Sequence, residues 1–322
     1  MTIRVMSSGR GYEYLLRSVA AGDGDRDMGT PLTRYYTESG CPPGTWLGTG
    51  LSSLDTGQGP ALADGDTVTE EHLARLLGEG VHPVTGKKLG SPYPRLLPPR
   101  ERIAARVARL DASLTGAQRQ EAIERIREEE VAKKPRTAVA GFDLTFSPPK
   151  SLSVVWGVAD AGTQALLAQA HHSALRDTMT MLEERVAATR VGRGGIARMP
   201  VAGVIASAFD HYDSRAADPQ LHTHVVVSNK VQGEDGRWRT LDSRTLHRAT
   251  VAMSASYNAF LTDHTARLLG VSWAPVDRGK DRNTGWEIEG VPAELIAEFS
   301  RRTTGTSDGA DGIEQVKNRL IA

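Results

Sequence analysis

Three histidines carry the clearest chemistry in this sequence. His222 and His224 stand two residues apart in the β-rich run HTHVVVSNKV, so on a strand both imidazoles project from one face. His211 closes the preceding apolar run VAGVIASAF (201–209), and the DSRAADPQ between them has strong turn chemistry. If the two strands pair, three imidazoles meet with no cysteine in reach. That is a facial nitrogen site with open positions, the layout of a catalytic metal centre rather than a closed structural one. A divalent ion is expected there; neutral imidazoles suit Mn, Zn or Ni better than Mg. Three unrelated histidines are the competing reading.

Asp143, in GFDLTFSPPKS, is the second piece. On a strand its carboxylate faces away from Phe142 and Leu144. Buried beside an imidazole, it would fix a tautomer and raise ligand basicity. On a half-exposed strand it would be a surface aspartate, and composition does not separate the two.

Four of the seven tyrosines fall in the first 36 residues: Tyr12, Tyr14, Tyr35 and Tyr36. A helical wheel sets Tyr12 with Leu15, Leu16 and Val19 on an apolar face, and Tyr14 opposite, between Arg17 and Ser18. Tyr12 therefore reads as core and Tyr14 as accessible. Tyr35 and Tyr36 border a glycine-rich loop. A phenol near a phosphate polarised by a metal is a covalent nucleophile; tyrosines packing an N-terminal element are the alternative.

The elements that must position these groups follow from patterning. A strand at Ile3–Met6 and a helix over about 12–20 open the chain, and a helix at 69–77 follows Gly/Pro loops. Residues 101–134 read as a helical hairpin broken near Ser113–Gly116, capped by Thr115 or Ser113, an insertion on the core fold. TAVAGFDLTF is a strand, and LSVVWGV is a second strand or the start of a helix. A long helix (162–188), strands at 201–209 and 222–231, a GEDG turn into RWRTLD and a helix at 249–269 complete the pattern. No repeat recurs, and strands and helices mix without βαβ alternation, so the class is α+β with an antiparallel sheet. His171 and His172 fall mid-helix and are assigned to packing or solvent. His72, His82, His247 and His264 have no identifiable partner.

The 39 basic and 39 acidic side chains cancel, which argues against a nucleic-acid partner. The charges are segregated, however. Acids concentrate at 21–27 and 121–130, and none lies between Arg185 and Asp210. That acid-free stretch holds Arg193 and Arg198 in the glycine-rich VGRGGIARMP, able to approach a phosphate backbone closely. Arg237, Trp238 and Arg239 set cations beside an aromatic, a platform for a single-stranded base, and Trp46 is a further stacking candidate. Lys150 is a candidate phosphate contact. The lone Cys41 excludes an intrachain disulfide and a cysteine-based zinc site. No run reaches the ~18 apolar residues of a membrane span, and no signal core opens the chain, so a cytoplasmic location is the default.

RYYTESG, GFDLTFSPPKSLSVVWG, and FDHYDSRAADPQLHTHVVVSNK with RWRTLDSRTLH together resemble the relaxase domain of MobF-type (TrwC/TraI-like) conjugative relaxases, in the HUH endonuclease superfamily. The resemblance covers about 1–305, with 101–134 the least typical part. It implies a central five-stranded antiparallel sheet flanked by helices. It also implies metal-dependent nicking of one strand at an origin of transfer, giving a 5′-phosphotyrosine and a free 3′-hydroxyl. The implied partner is single-stranded origin DNA with an adjacent hairpin, alongside accessory DNA-binding and coupling proteins and no membrane. By resemblance, His211, His222 and His224 are the metal ligands and Asp143 hydrogen-bonds one of them. Tyr14 is the first nucleophile, and Tyr35 and Tyr36 the second pair. The family's first pair is two adjacent tyrosines, whereas this chain has Tyr12-Glu13-Tyr14, so the first nucleophile stands between Tyr14 and Tyr12. A rolling-circle replication initiator, a transposase or other HUH nuclease of the same superfamily, a phosphoesterase without a protein adduct and a non-catalytic DNA-binding module are the alternatives. Residues 306–322 read as the start of a C-terminal extension before a helicase domain, with no GxxxxGK[ST] in this chain.

Overall fold

The computed structural model describes residues 1–17, 43–57, 59–94, 97–133, 137–213, 219–279 and 284–300. In chain order the first half comprises β1 (Thr2–Ser7), the short helix α1 (Glu13–Arg17), β2 (Thr45–Leu47), α2 (Glu70–Leu73, continued by a π-helical turn over Ala74–Glu79), α3 (Pro99–Val107), α4 (Gly116–Ala132) and β3 (Val139–Phe146). The second half comprises α5 (Lys150–Val158), α6 (Ala161–Arg185), the ribbon β4–β5 (Ala188–Val191 and Ala197–Pro200), β6 (Ala206–Asp213), β7 (Pro219–Ser228), the hairpin β8–β9 (Lys230–Gln232 and Trp238–Thr240), α7 (Ser243–Leu269), the ribbon β10–β11 (Trp273–Val276 and Gly285–Ile288) and α8 (Ala293–Glu298).

Five strands form one antiparallel sheet in the order β1-β3-β7-β6-β2, as the resemblance implied. Strand alternation divides the core in two. On one face Phe142, Leu144, Phe146, Val225 and Val227 pack under Leu175 and Met179 of α6 and Met253 and Leu261 of α7. On the other, Met6, Trp46, Phe209 and Val226 meet Leu15 and Leu16 of α1 and Leu73, Leu76 and Leu77 of the α2 segment. Each such fully buried side chain contributes about 1.5–3 kcal/mol. Pairing Asp143↔Val226, Thr145↔His224 and His211↔His222 sets the polar residues of this second face side by side.

Local signals explain most element boundaries. Thr115 and Gln118 form a capping box at α4, which with α3 makes the expected helical hairpin. Asp160 caps α6 by accepting from the Gly162 and Thr163 amides. Gly270, with φ 68°, ends α7 in the left-handed conformation.

Two strand expectations need correction, and one open choice, that between strand and helix for LSVVWGV, is decided for helix. The strand expected at 201–209 begins at Ala206 and runs on through His211 to Asp213. LSVVWGV is helical: Pro149 caps α5, and Ser151 docks it on β11 by donating its amide to Glu287 (2.9 Å) and accepting from the Ile288 amide (2.8 Å). This tertiary tie overrides the strand propensity of the valines. The strand expected at 222–231 divides, because Lys230–Gln232 leaves the main sheet to pair with Trp238–Thr240 across the predicted turn.

Candidate active site

The β6–β7 pair brings the three histidines together. His211 and His222 are direct cross-strand partners, and His224 lies two residues along on the same face. Ring centroids are 4.9–5.3 Å apart, and each residue offers a ring nitrogen within 4.8 Å of the other two. His211 is buried. Burial first, then the neighbouring His224 and His222, push its pKa down to about 3, so it is neutral with a lone pair available to a cation. The Nδ1 of His222 is held by the Gln220 carbonyl oxygen at 2.8 Å, which orients the ring and makes Nε2 its candidate ligand atom.

Asp143 is fully buried and lies 2.9 Å through both carboxylate oxygens from His224 Nδ1. The surface-aspartate alternative is thereby removed. A carboxylate on Nδ1 leaves Nε2 of His224 as its ligand atom. These donors fit a divalent ion: three imidazoles, no cysteine, and ring orientations set by protein oxygens.

Tyr14 reaches the same carboxylate. Its hydroxyl donates to Asp143 Oδ2, and its ring meets that of His224 edge-on at 6.3 Å. Tyr14, expected to be accessible, is half-buried, with part of its ring packed against the second core. Burial, the Asp143 charge and the hydrogen bond push its pKa well above the usual phenol range, while the Arg4 charge works the other way. Tyr12 is buried in the core, as the helical wheel indicated. Tyr35 and Tyr36 lie outside the described residues.

The family model for TrwC relaxases matches residues 8–319. The chain belongs to the TrwC relaxase family. A curated relative, the multifunctional conjugation protein TraI of Escherichia coli, is 32% identical over 189 residues, covering 56% of this chain and 10% of TraI. TraI of Escherichia coli strain K12 is 32% identical over 192 residues, with the same coverage. The chain thus spans about a tenth of the curated relatives it matches. A metal-bound structure of the conjugative relaxase TrwC in complex with oriT DNA aligns with TM-score 0.59 at 22% identity, covering 98% of this chain and 89% of that one. TrwC with a 27-mer carrying the recognition hairpin and cleavage site aligns with TM-score 0.57 at 23% identity, covering 98% and 88%.

Within this TrwC-family chain the expected DNA contacts separate. Arg193 is exposed at the turn of the β4–β5 ribbon, where Gly194 and Gly195 take positive φ (71° and 66°). Ile196, 84% exposed, stands beside them. Arg198, on the same ribbon, donates to the Val186 carbonyl (3.3 Å) and lies 3.7 Å from Asp242. Arg237, Trp238 and Arg239 do not form one platform. Arg237 is exposed, Arg239 is held by Asp235 through two hydrogen bonds (2.7 and 2.6 Å), and Trp238 packs against the core. Trp46 is no stacking residue, since it is 1% exposed on β2. Lys150 donates to the Pro219 carbonyl (2.8 Å), fastening α5 to the start of β7. Among the described residues no helix is long and apolar enough to cross a membrane.

Sequence reasoning missed Arg4. It lies opposite Asp143 in the β1–β3 pairing, and its side chain is exposed. Only that long-range pairing brings it to the site. His264 has a partner after all, Asp177 at 2.7 Å. His82 Nδ1 accepts from the Val84 and Thr85 amides.

Proposed function

We propose that this chain is a site- and strand-specific DNA transesterase that opens one strand at an origin of transfer, with Tyr14 as the attacking group. The observation that carries this reading is the shared carboxylate: Asp143 holds both the Tyr14 hydroxyl and the His224 imidazole. In the proposed step Tyr14 passes its proton to Asp143, and the phenolate oxygen attacks the scissile phosphorus in line. A P–O bond to Tyr14 forms, the bond to the 3′ oxygen breaks, and that oxygen leaves as a hydroxyl after taking a proton from water, while Asp143 gives up its proton to solvent. The product is a 5′-phosphotyrosine, and the phosphodiester energy is conserved for rejoining. His211, His222 and His224 would hold a divalent ion, which would supply charge withdrawal at the phosphate. Arg4 adds a positive charge on the same face, which opposes the high pKa of Tyr14.

The structural relatives with origin DNA favour the same substrate class here, single-stranded origin DNA beside a hairpin. The β4–β5 ribbon fits the duplex part, because a two-stranded ribbon fills a major groove and its glycines let backbone and Arg193 approach phosphates. Tyr35 and Tyr36 are assigned the later transfer that rejoins the strand. Residues 1–305 are taken as the catalytic domain and 306–322 as the start of an extension, with accessory DNA-binding and coupling proteins as partners in the cytoplasm.

The test is incubation with single-stranded DNA spanning the origin of the element that encodes the chain, followed by a denaturing gel. A covalent protein–DNA species that needs a divalent metal is expected. Cleavage without an adduct would point to a phosphoesterase, and binding without cleavage to a non-catalytic module.

A further inference from the structure

On the helix-covered face of the sheet, behind the histidine triad, five polar side chains form a chain of hydrogen bonds that the nicking step does not use. Asp210 and Thr223 are cross-strand partners on β6 and β7, and Thr223 Oγ1 donates to Asp210 Oδ1 (2.5 Å). His171 of α6, fully buried, meets Thr223 Oγ1 through Nε2 (2.8 Å) and the Tyr257 hydroxyl of α7 through Nδ1 (2.7 Å). Its neighbour His172 reaches Asp210 Oδ2 through Nε2 (2.9 Å).

The proton positions follow from counting donors. Thr223 has one hydroxyl hydrogen, and Asp210 takes it. The threonine oxygen therefore accepts from His171, which carries its proton on Nε2. With that ring neutral, Nδ1 is an acceptor and Tyr257 donates to it. Every bond in the chain points toward Asp210, an arrangement in which successive bonds polarise one another.

The placement is what gives this chain a role. Asp210 immediately precedes His211, and Thr223 lies between His222 and His224. In the ladder the Asp210↔Thr223 rung is flanked by His211↔His222 on one side and Phe209↔His224 on the other. Just past His211 the register shifts. Two of the three imidazoles thus stand on the last regular rung before an irregularity, where strand ends fray most easily. The side-chain tie next to that rung is anchored to both long helices.

We propose that Tyr257, His171, Thr223 and Asp210, with His172, are positioning residues for the metal centre. They fix the backbone on which the three imidazoles stand, so that the spacing of the ring nitrogens is set before the ion arrives. The proposal rests on the triad being a metal centre. None of the five faces the ion, and they act through the strands alone. The inner members of the network, His171, Thr223 and Tyr257, are buried, and His172 closes it at the solvent side. A connected buried network rigidifies its surroundings, and a site held by such support binds its ion more tightly than one left loose.

The experiment is a cobalt(II) titration of the whole chain without DNA, reading the ligand-field absorption and the dissociation constant beside thermal unfolding of the metal-free protein. Thr223→Val keeps the side-chain shape and removes both hydrogen bonds. It is expected to weaken cobalt binding by about 10–100-fold, the range for outer partners of metal ligands, and to shift the ligand-field band. Thr223→Ser is expected to restore both. Tyr257→Phe, which loses only the far end of the chain, is expected to weaken binding several-fold, and it serves as the test if Thr223→Val does not fold. Wild-type affinity and band in Tyr257→Phe and in any folded Thr223→Val would overturn the proposal, even if both variants melted earlier, because that marks a purely structural role. If wild type and His222→Ala bound cobalt alike, the triad would not be the metal centre, and the proposal would fall with it.

Discussion

Both faces of the β6–β7 pair carry polar clusters, one built from Asp210 and Thr223 with side chains of α6 and α7 and the other from His211, His222 and His224, yet they end in opposite states. On the covered face His171, Thr223, Asp210, His172 and Tyr257 spend their polar atoms on one another. On the other face three imidazoles turn ring nitrogens toward a common point, each within 4.8 Å of the other two. Three ring nitrogens that converge in this way form a donor set that a divalent cation would hold together. On the covered face the hydrogen bonds run from side chain to side chain, whereas on the other face Asp143 and the Gln220 carbonyl each hold one nitrogen of a histidine and leave the second to the common point.

The largest loss is expected from removing one of the converging imidazoles. His222→Ala is expected to abolish metal-dependent adduct formation while leaving the fold intact, as read by a denaturing gel and by circular dichroism. Retained activity would make the convergence incidental. Asp143→Asn comes next. It removes the acceptor of Tyr14 and weakens the grip on His224, so metal affinity should fall about 10–100-fold by calorimetry, with a further loss in adduct rate at saturating metal.

A milder effect is expected from Arg4→Gln. The adduct rate should drop several-fold with metal affinity unchanged, because the charge acts on Tyr14 rather than on the ligands. A fall in metal affinity instead would move Arg4 into the ligand shell. The covered face should answer to pH. Burial lowers the pKa of His171 from 6.5 to about 3, so the unfolded chain takes up a proton that the folded chain refuses. The stability linked to this group is complete above about pH 6.5 and is lost as pH falls toward 3. In the metal-free protein His171→Gln should therefore flatten the acid limb of the melting-temperature curve, and an unchanged limb would contradict a neutral, buried ring. The smallest effect belongs to neither face. Arg193→Ala should reduce the salt slope of DNA binding by about one, with cobalt binding untouched.

How much of this was legible depends on the range of the interaction. The HTH spacing and the turn before it are local, so the convergence of His211, His222 and His224 could be read from strand periodicity. Asp143 could be read as far as its face, but not its burial. The Tyr14 contact and Arg4 required the β1–β3 pairing, which joins segments more than a hundred residues apart and leaves no local trace. His171 and His172 were hidden for the same reason, since only the packing of α6 on the sheet gives them partners. Trp46 was misread because its three-residue edge strand is flanked by glycine and proline, which mimic a loop. Within Arg237–Trp238–Arg239 proximity in sequence misled, because strand alternation turns neighbouring side chains to opposite faces.

The most direct measurement is peptide mapping of the DNA-linked protein by mass spectrometry after nicking of a single-stranded origin substrate. The open face predicts the nucleotide on Tyr14, with Tyr14→Phe losing that peptide and the initial adduct together. Attachment to Tyr12, whose ring is packed in the core, or cleavage that leaves no nucleotide on any tyrosine, would contradict it.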